Sequence, residues 1–120
     1  MKPVKSGERI VRNLLSDSYR PFEAPGIVYE GLSFLPLDEE QPAGTGFHII
    51  RMEPGAVSTA HEHMADEMFC VLEGELIDND GTHYRRGDMV LLRAGTQHSL
   101  HTPGGCTLLV YVETLERPVD

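Results

Sequence analysis

A chain of 120 residues, with 40% hydrophobic and 24% charged side chains, is long enough for one soluble globular domain with its own core. Its 10 basic and 19 acidic side chains give a formal charge of −9, which repels phosphate backbones and anionic lipid headgroups and argues against nucleic acid or membrane partners. Because the sequence has no run of 18 apolar residues, it predicts no membrane span.

Residues 1–26 are predicted to form an extension that packs on the following domain or on a partner subunit. Apolar residues at positions 10, 11, 14 and 15 are compatible with one or two helical turns over residues 9–15. The two N-terminal lysines are not followed by a hydrophobic stretch, so no signal peptide is predicted. Cys70 and Cys106 lie in apolar segments and are interpreted as reduced, buried thiols. Together these features favour a cytoplasmic protein.

From residue 27 onward, short apolar segments recur every 8 to 12 residues, with turn signals between them, and predict an all-β domain over residues 27–120. Residues 27–37 are predicted to form two short strands or one strand bent at Gly31. Further strands are predicted over residues 47–53, 67–77, 83–86 and 107–115. The run Asp78-Asn79-Asp80-Gly81 predicts a hairpin. This pattern alone leaves a sandwich and a closed barrel as alternatives.

Four residues have the chemistry of a metal site. His61 and His63 are two apart, so a strand would place both imidazoles on one face, about 7 Å apart. Glu67 can join them after a turn at residues 64–66, and His98 is the candidate for the fourth ligand. Three imidazoles and a carboxylate suit one divalent ion: Fe, Mn, Ni or Zn. An isolated pair of histidines would be weak evidence, and the added glutamate and third histidine make the metal site the favoured interpretation.

Other residues are candidates for the surroundings of this site. Those that share strand parity with the ligands are predicted to line a pocket or to pack in the core: Thr59, Phe69, Val71 and Leu100. Core packing is favoured for Phe69 and Val71. Those that could contact a bound acid or carbonyl are Arg51, Gln97 and Tyr111. The remaining histidines are expected at the surface: His48, His83 and His101.

The site segments resemble the cupin superfamily. The signature G-x5-H-x-H-x3-E-x6-G is matched at Gly55, His61, His63, Glu67 and Gly74. The second motif, G-x5-P-x-G-x2-H-x3-N, is matched at Gly87, Gly95 and His98, with Arg93 and Thr102 in place of the usual proline and asparagine. The 12 residues between the motifs are typical of compact single-domain bacterial cupins. Sequence segments such as CVLEGEL and GGCTLLVYV resemble the ChrR-type cupin domain of anti-sigma factors and its dioxygenase-like relatives.

The resemblance implies a small double-stranded β-helix, or jelly-roll, cupin barrel, with His61, His63, Glu67 and His98 as metal ligands. It favours a non-haem dioxygenase, an oxidoreductase acting on a diketone-like or oxo-acid-like small molecule, with Glu67 as a ligand or as a catalytic base. The alternative is a non-catalytic module that senses a ligand or an oxidant, as a ChrR-like regulator would. The 26 residues before the first strand are expected to be too few for the separate helical domain of such anti-sigma factors. Small cupins usually pair through edge strands, so a symmetric homodimer is expected.

Overall fold

The computed structural model describes residues 1–23 and 29–119, and within these ranges the regular secondary structure is entirely β. The strands are β1 (Arg20–Pro21), β2 (Leu32–Pro36), β3 (Gly46–Met52), β4 (Val57–Glu62), β5 (Glu67–Asp78), β6 (His83–Arg85), β7 (Met89–Leu92), β8 (Gln97–His101), β9 (Cys106–Val112) and β10 (Arg117–Pro118). The pairings found are all antiparallel, which confirms the predicted all-β jelly roll.

The sheet follows the order β1-β2-β3-β9-β5-β8-β4-β10, with β6 and β7 also paired to β5. Strand β5 belongs to both halves of the curled sheet. Its first half pairs with β7 and β9, and its second half pairs with β6 and β8. Because β8 in turn pairs with β4, the curl brings the two motif segments side by side.

Gly74 lies where β5 passes from one half of the sheet to the other. The register with β9 shifts between Val71 and Glu73, and Gly74 itself has φ +76°. A Cβ at this position would lie 2.0 Å from the carbonyl oxygen of Gly105. Position 74 therefore requires glycine, both for its backbone conformation and for the close approach of β9.

The core fills the inside of the curl with alternate side chains of the long strands, since successive residues of a strand face opposite sides. On β5 and β9 the buried members are Phe69, Val71, Leu76, Cys106, Leu108, Val110 and Val112. Cys70 and Cys106 are both free, as predicted. The predicted hairpin after β5 is confirmed by hydrogen bonds from Asp78 N to Thr82 O (2.9 Å) and from Gly81 N to Asp78 O (2.9 Å).

The N-terminal residues form two turns, closed by hydrogen bonds from Glu8 N to Lys5 O (3.0 Å) and from Asp17 N to Asn13 O (2.9 Å). The second turn lies slightly later than the predicted helical turns. Arg51 stacks on the Tyr19 ring at 3.9 Å and donates to Leu14 O, so this segment contacts the outer face of β3. Ile27 and Val28, and the predicted boundary after residue 26, lie outside the described residues. Among those described, none forms a helix with the length and apolar character of a membrane span.

Candidate metal centre

Three histidines converge inside the curl. The ring centroids of His61 and His63 are 5.0 Å apart, and each ring lies 4.7 Å from that of His98. One ring nitrogen from each lies within 4.8 Å of the other two. The residues expose 2%, 1% and 7% of their surface, so the three imidazoles form a compact, dehydrated cluster.

Strand pairing explains this convergence. His61 on β4 lies opposite His98 on β8, and His63 follows the end of β4 with the parity of His61. The register between β4 and β8 shifts between Ser58 and His61. This irregularity breaks the parity argument, because Ser58 is buried while Thr59 is exposed. The prediction that Thr59 faces the site is therefore wrong.

Hydrogen bonds at Nδ1 fix the tautomers of His61 and His63. His61 Nδ1 lies 2.8 Å from the carbonyl oxygen of Thr59, which can only accept. His63 Nδ1 lies 2.9 Å from the hydroxyl of Thr96, which donates its own proton to Arg93 O at 2.7 Å. Both Nδ1 atoms therefore carry the proton, and both Nε2 atoms present a lone pair to the interior.

His98 is oriented by Asp78, at the end of β5. His98 Nδ1 lies 2.7 Å from Asp78 Oδ2, which also accepts a hydrogen bond from the Tyr84 hydroxyl at 2.7 Å. The Nε2 atoms of His63 and His98 are buried and have no hydrogen-bond partner within the described ranges, 1–23 and 29–119. Because buried polar atoms are normally paired, these two nitrogens have the environment of metal ligands.

Two carboxylates lie beside the histidine cluster. Glu67 Oε1 lies 3.6 Å from His63 Nε2, so the turn at residues 64–66 does bring Glu67 back to the histidines. Glu116 Oε2 lies 3.1 Å from His61 Nε2, and its other oxygen accepts a hydrogen bond from the Tyr29 hydroxyl. His63, Glu67 and Glu116 form a second group whose ligand atoms lie within 4.8 Å of one another.

The environment of the site favours the neutral form of the imidazoles and disfavours the presence of two ionised carboxylates side by side. Burial lowers the pKa of His61, and burial together with the neighbouring histidines lowers the pKa of His63 to about 4. Burial, and then the nearby Glu116, raise the pKa of Glu67. At neutral pH the imidazoles are therefore ready to coordinate, and a cation would relieve the crowding of the acidic groups.

A cavity of about 50 Å³ adjoins the cluster and reaches Glu67, Glu116 and Tyr29. Its walls are mostly apolar and come from β3, β5, β8 and β9: Ile50, Met52, Phe69, Leu100, Leu108 and Val110. Phe69 and Leu100 therefore face the cavity, whereas the buried Val71 packs in the core without lining it.

His48 also faces this cavity, so the prediction that it lies at the surface is wrong. Its place on β3 gives it the same parity as Ile50 and Met52, which turn inward. The exposed positions predicted for His83 and His101 are confirmed.

The three residues predicted to contact a bound acid or carbonyl lie away from the cavity. Arg51 points to the outer face of β3, toward Tyr19 and Leu14. Gln97 is exposed and donates to Glu62 at 2.8 Å. The exposed Tyr111 hydroxyl is 3.5 Å from Glu113. None of the three lines the cavity.

The two departures from the cupin motifs have structural roles outside the cluster. Arg93 donates to Asp66 at 3.1 Å, and Asp66 also accepts from Ala94 N at 2.8 Å, so the two motif loops are joined. Thr102 is fully buried and donates to Glu75 O at 2.6 Å.

Sequence reasoning missed Asp78, Thr96 and Glu116. A signal existed for Asp78, since it shares the inward parity of Leu76 on an otherwise apolar strand. Thr96 lies in a turn closed by the hydrogen bond from its N to Arg93 O (3.2 Å), and the sequence shows only a turn signal there. Glu116 lies in the segment after β9, where no motif or periodicity marks it.

The donor set as a whole suits a divalent ion. Three imidazole lone pairs and the nearby carboxylates are nitrogen and oxygen donors of the kind that Fe(II), Mn(II), Ni(II) and Zn(II) accept. The buried triad of His61, His63 and His98 fits such an ion without rearrangement of its hydrogen bonds.

The profile of the ChrR cupin-like domain family matches residues 18–116, which confirms the resemblance to cupins. No curated protein sequence matches at a significant level. In fold, the chain is similar to the anti-sigma factor ChrR of Rhodobacter sphaeroides, solved in complex with SigE, with 19% identity and a TM-score of 0.65. That alignment covers 85% of this chain and 51% of ChrR, so the chain spans about half of the length of ChrR.

Two further structures share the fold. The acetylacetone dioxygenase from Acinetobacter johnsonii has 14% identity and a TM-score of 0.75, with 100% of this chain and 83% of that chain covered. The polyketide cyclase RemF from Streptomyces resistomycificus has 20% identity and a TM-score of 0.71, with 92% and 84% covered. These low identities show a common fold, and the chemistry has to be argued from the site.

Proposed function

Because the chain belongs to the ChrR cupin-like domain family, we propose that its histidine cluster holds one divalent metal ion and that the protein is a small non-haem dioxygenase. The proposed substrate is a small diketone or oxo acid. A bound ion would serve as Lewis acid and as the electron path between substrate and O2.

One observation carries this proposal: the buried histidine cluster has Nε2 atoms without a partner among the described residues, and it adjoins an apolar cavity that His61 lines. His63 and His98 leave these atoms without hydrogen bonds. The adjoining walls are apolar side chains such as Phe69, Leu108 and Val110. A site that only stored a metal would need no such cavity, whereas chemistry with O2 requires that water be kept from the reacting groups.

The ligand roles follow from the contacts. His61, His63 and His98 would hold the ion, each with its tautomer fixed by the partner of Nδ1. Glu67, 3.6 Å from His63 Nε2, is the proposed fourth ligand. The apolar side chains exclude water and surround the carbon skeleton of the substrate.

Glu67 is also the proposed general base. A diketone becomes reactive toward O2 once it loses a proton from the carbon between its carbonyl groups. Glu67 lines the cavity and lies 3.6 Å from His63 Nε2, so its carboxyl group is next to the place where a bound substrate would release this proton. The proton would be held at a Glu67 carboxylate oxygen during turnover.

Oxygen uptake tests the proposal. Tag-free protein loaded with Fe(II) is expected to consume O2 when acetylacetone is added, and His98→Ala is expected to lose both iron and uptake. If Glu67 is the base, Glu67→Gln that is fully loaded with iron should be slower by about 10²–10⁴-fold. Wild-type protein with stoichiometric iron and no oxygen uptake across diketones, catechols and oxo acids would contradict the enzymatic role.

A metal-dependent sensor is the second candidate function. The observation that favours it is the small cavity, about 50 Å³, together with the similarity to the regulator ChrR. A sensor would change conformation when its ion is oxidised or a ligand binds, without consuming substrate. Protease protection that depends on the oxidation state of bound iron, in protein without turnover, would support this role over catalysis.

A further inference from the structure

We propose that Glu116 is an additional, displaceable ligand of the metal centre, supplied by the segment that follows β9. This inference rests on the proposed metal site and names a carboxylate outside both cupin motifs. The resulting protein ligand set would be three imidazoles and two carboxylates.

The contact between Glu116 and His61 lacks the proton that an ordinary hydrogen bond needs. Glu116 Oε2 lies 3.1 Å from His61 Nε2. The His61 proton is on Nδ1, because Nδ1 faces the carbonyl oxygen of Thr59 at 2.8 Å. A carboxylate oxygen and a bare imidazole nitrogen are both acceptors, and a cation between them would satisfy both.

Other acceptor atoms of the cluster also lack a hydrogen-bond donor. His63 Nε2 and His98 Nε2 are buried without a partner, and Glu67 Oε1 lies 3.6 Å from His63 Nε2. The carboxylate of Glu116 lies within 4.8 Å of ligand atoms on both His63 and Glu67. The three histidines form one such group, and His63, Glu67 and Glu116 form the second. Because His63 belongs to both, the five nitrogen and oxygen donors surround one region, as the ligands of one ion would.

The segment that carries Glu116 is held at both ends. On one side, Leu115 lines the cavity and lies against Gly44, whose added Cβ would be 3.0 Å from Leu115 Cδ1. On the other side, Arg117 pairs with Glu62 on β4 and forms a 3.0 Å ion pair with it. Because β4 also carries His61, the position of Glu116 is fixed relative to the histidines.

The Tyr29 hydroxyl donates a hydrogen bond to Oε1 of Glu116. This contact leaves Oε2 as the oxygen that faces the cluster. Tyr29 is thus a positioning residue for Glu116. Its hydroxyl would remain a partner of the carboxylate when Oε2 leaves the ion.

A bound Glu116 would limit access to the ion. With five protein ligands, an octahedral ion keeps one open position, whereas a substrate that binds through two oxygens needs two. The cavity of about 50 Å³, closed in part by Leu115 and Glu116, agrees with a resting site that admits only a small molecule. Displacement of Glu116 would open the second position.

Zinc binding tests this inference without reference to activity. Competition titration with a chromophoric chelator is expected to show zinc affinity for Glu116→Gln about tenfold or more below that of wild type. Tyr29→Phe should weaken binding in the same direction by less. The matched control is Glu113→Gln, because Glu113 is exposed on the same segment, and its affinity should be unchanged.

The expected structural result is a Glu116 oxygen about 2.0–2.2 Å from zinc in crystals of the loaded protein. Unchanged affinity in Glu116→Gln, together with lost affinity in His98→Ala, would overturn the role of Glu116 while the histidine centre stands. Wild-type protein that binds no zinc would overturn both this inference and the proposed metal site.

Discussion

The Nδ1 atom of His98 lies 2.7 Å from the Oδ2 atom of Asp78, and both side chains are nearly completely buried. This pair joins the second cupin motif to the end of β5, outside either motif. Since Asp78 also accepts from Tyr84, its carboxylate cannot rotate away without breaking two hydrogen bonds. The pair therefore sets the direction in which His98 presents Nε2.

Replacement of Asp78 with asparagine should weaken metal binding. An asparagine amide can donate to Nδ1, which would move the ring proton to Nε2 and block coordination. Zinc affinity is expected to fall by about 10–100-fold, measured by chelator competition. Asp80→Asn, in the exposed turn after β5, is the control and should bind zinc like wild type. Equal affinities for the two variants would contradict the positioning role of Asp78.

Gly74→Ala should destabilise the fold much more than Gly81→Ala. Both glycines have positive φ, +76° and +90°, so both substitutions strain the backbone by about 1–2 kcal/mol. Only at Gly74 does the new Cβ meet backbone, 2.0 Å from Gly105 O. Together, strain and overpacking predict a loss of about 2–5 kcal/mol for Gly74→Ala, measured by urea unfolding. Equal losses would show that β9 can move away from β5.

The contribution of the neutral His63 imidazole to the stability of metal-free protein should be lost as the pH falls from about 6.5 toward 4. Burial lowers the folded-state pKa of His63 to about 4, below the value of about 6.5 for a free imidazole, so the unfolded chain binds the proton first in this window. The stabilisation is present above pH 6.5 and is lost as the pH approaches 4. The measurement is the free energy of unfolding in urea at several pH values.

Comparison of wild type with His63→Gln isolates this contribution from that of Glu67, whose raised pKa acts in the opposite direction. The variant should show a flatter pH profile, while the exposed His83→Gln should retain the profile of wild type. Identical profiles for wild type and His63→Gln would refute the buried, neutral state of this imidazole.

A symmetric homodimer remains a prediction from the sequence, and exposed apolar side chains support it. Ile10, Val11 and Leu15 are exposed in the N-terminal segment, and β1 covers only two residues of β2. Such surfaces are usually covered by a second subunit. Light scattering should report twice the chain mass of 13.3 kDa, with Leu15→Glu shifted toward monomer and Lys5→Glu unchanged. A wild-type monomer at micromolar concentration would contradict the prediction.

The meeting of His61, His63 and His98 could be predicted because strand parity and motif spacing are local properties of the sequence. The exposed Thr59 could not be, since a register shift in β4 depends on its pairing with β8. His48 was misplaced because its hairpin surroundings suggested exposure, although the parity of β3 points inward. Glu116 depends on tertiary contacts of β10 with β4, which leave no periodic signal in the sequence.

The central claim is a metal centre built on three imidazoles, and X-ray absorption of zinc-reconstituted, tag-free protein tests it most directly. We expect one zinc per chain, with three imidazole nitrogens at about 2.0–2.1 Å and the remaining ligands oxygen. The His98→Ala variant should lose one imidazole from this spectrum or lose the zinc altogether. Zinc bound by fewer than three imidazoles, or no zinc after reconstitution of folded protein, would contradict the claim.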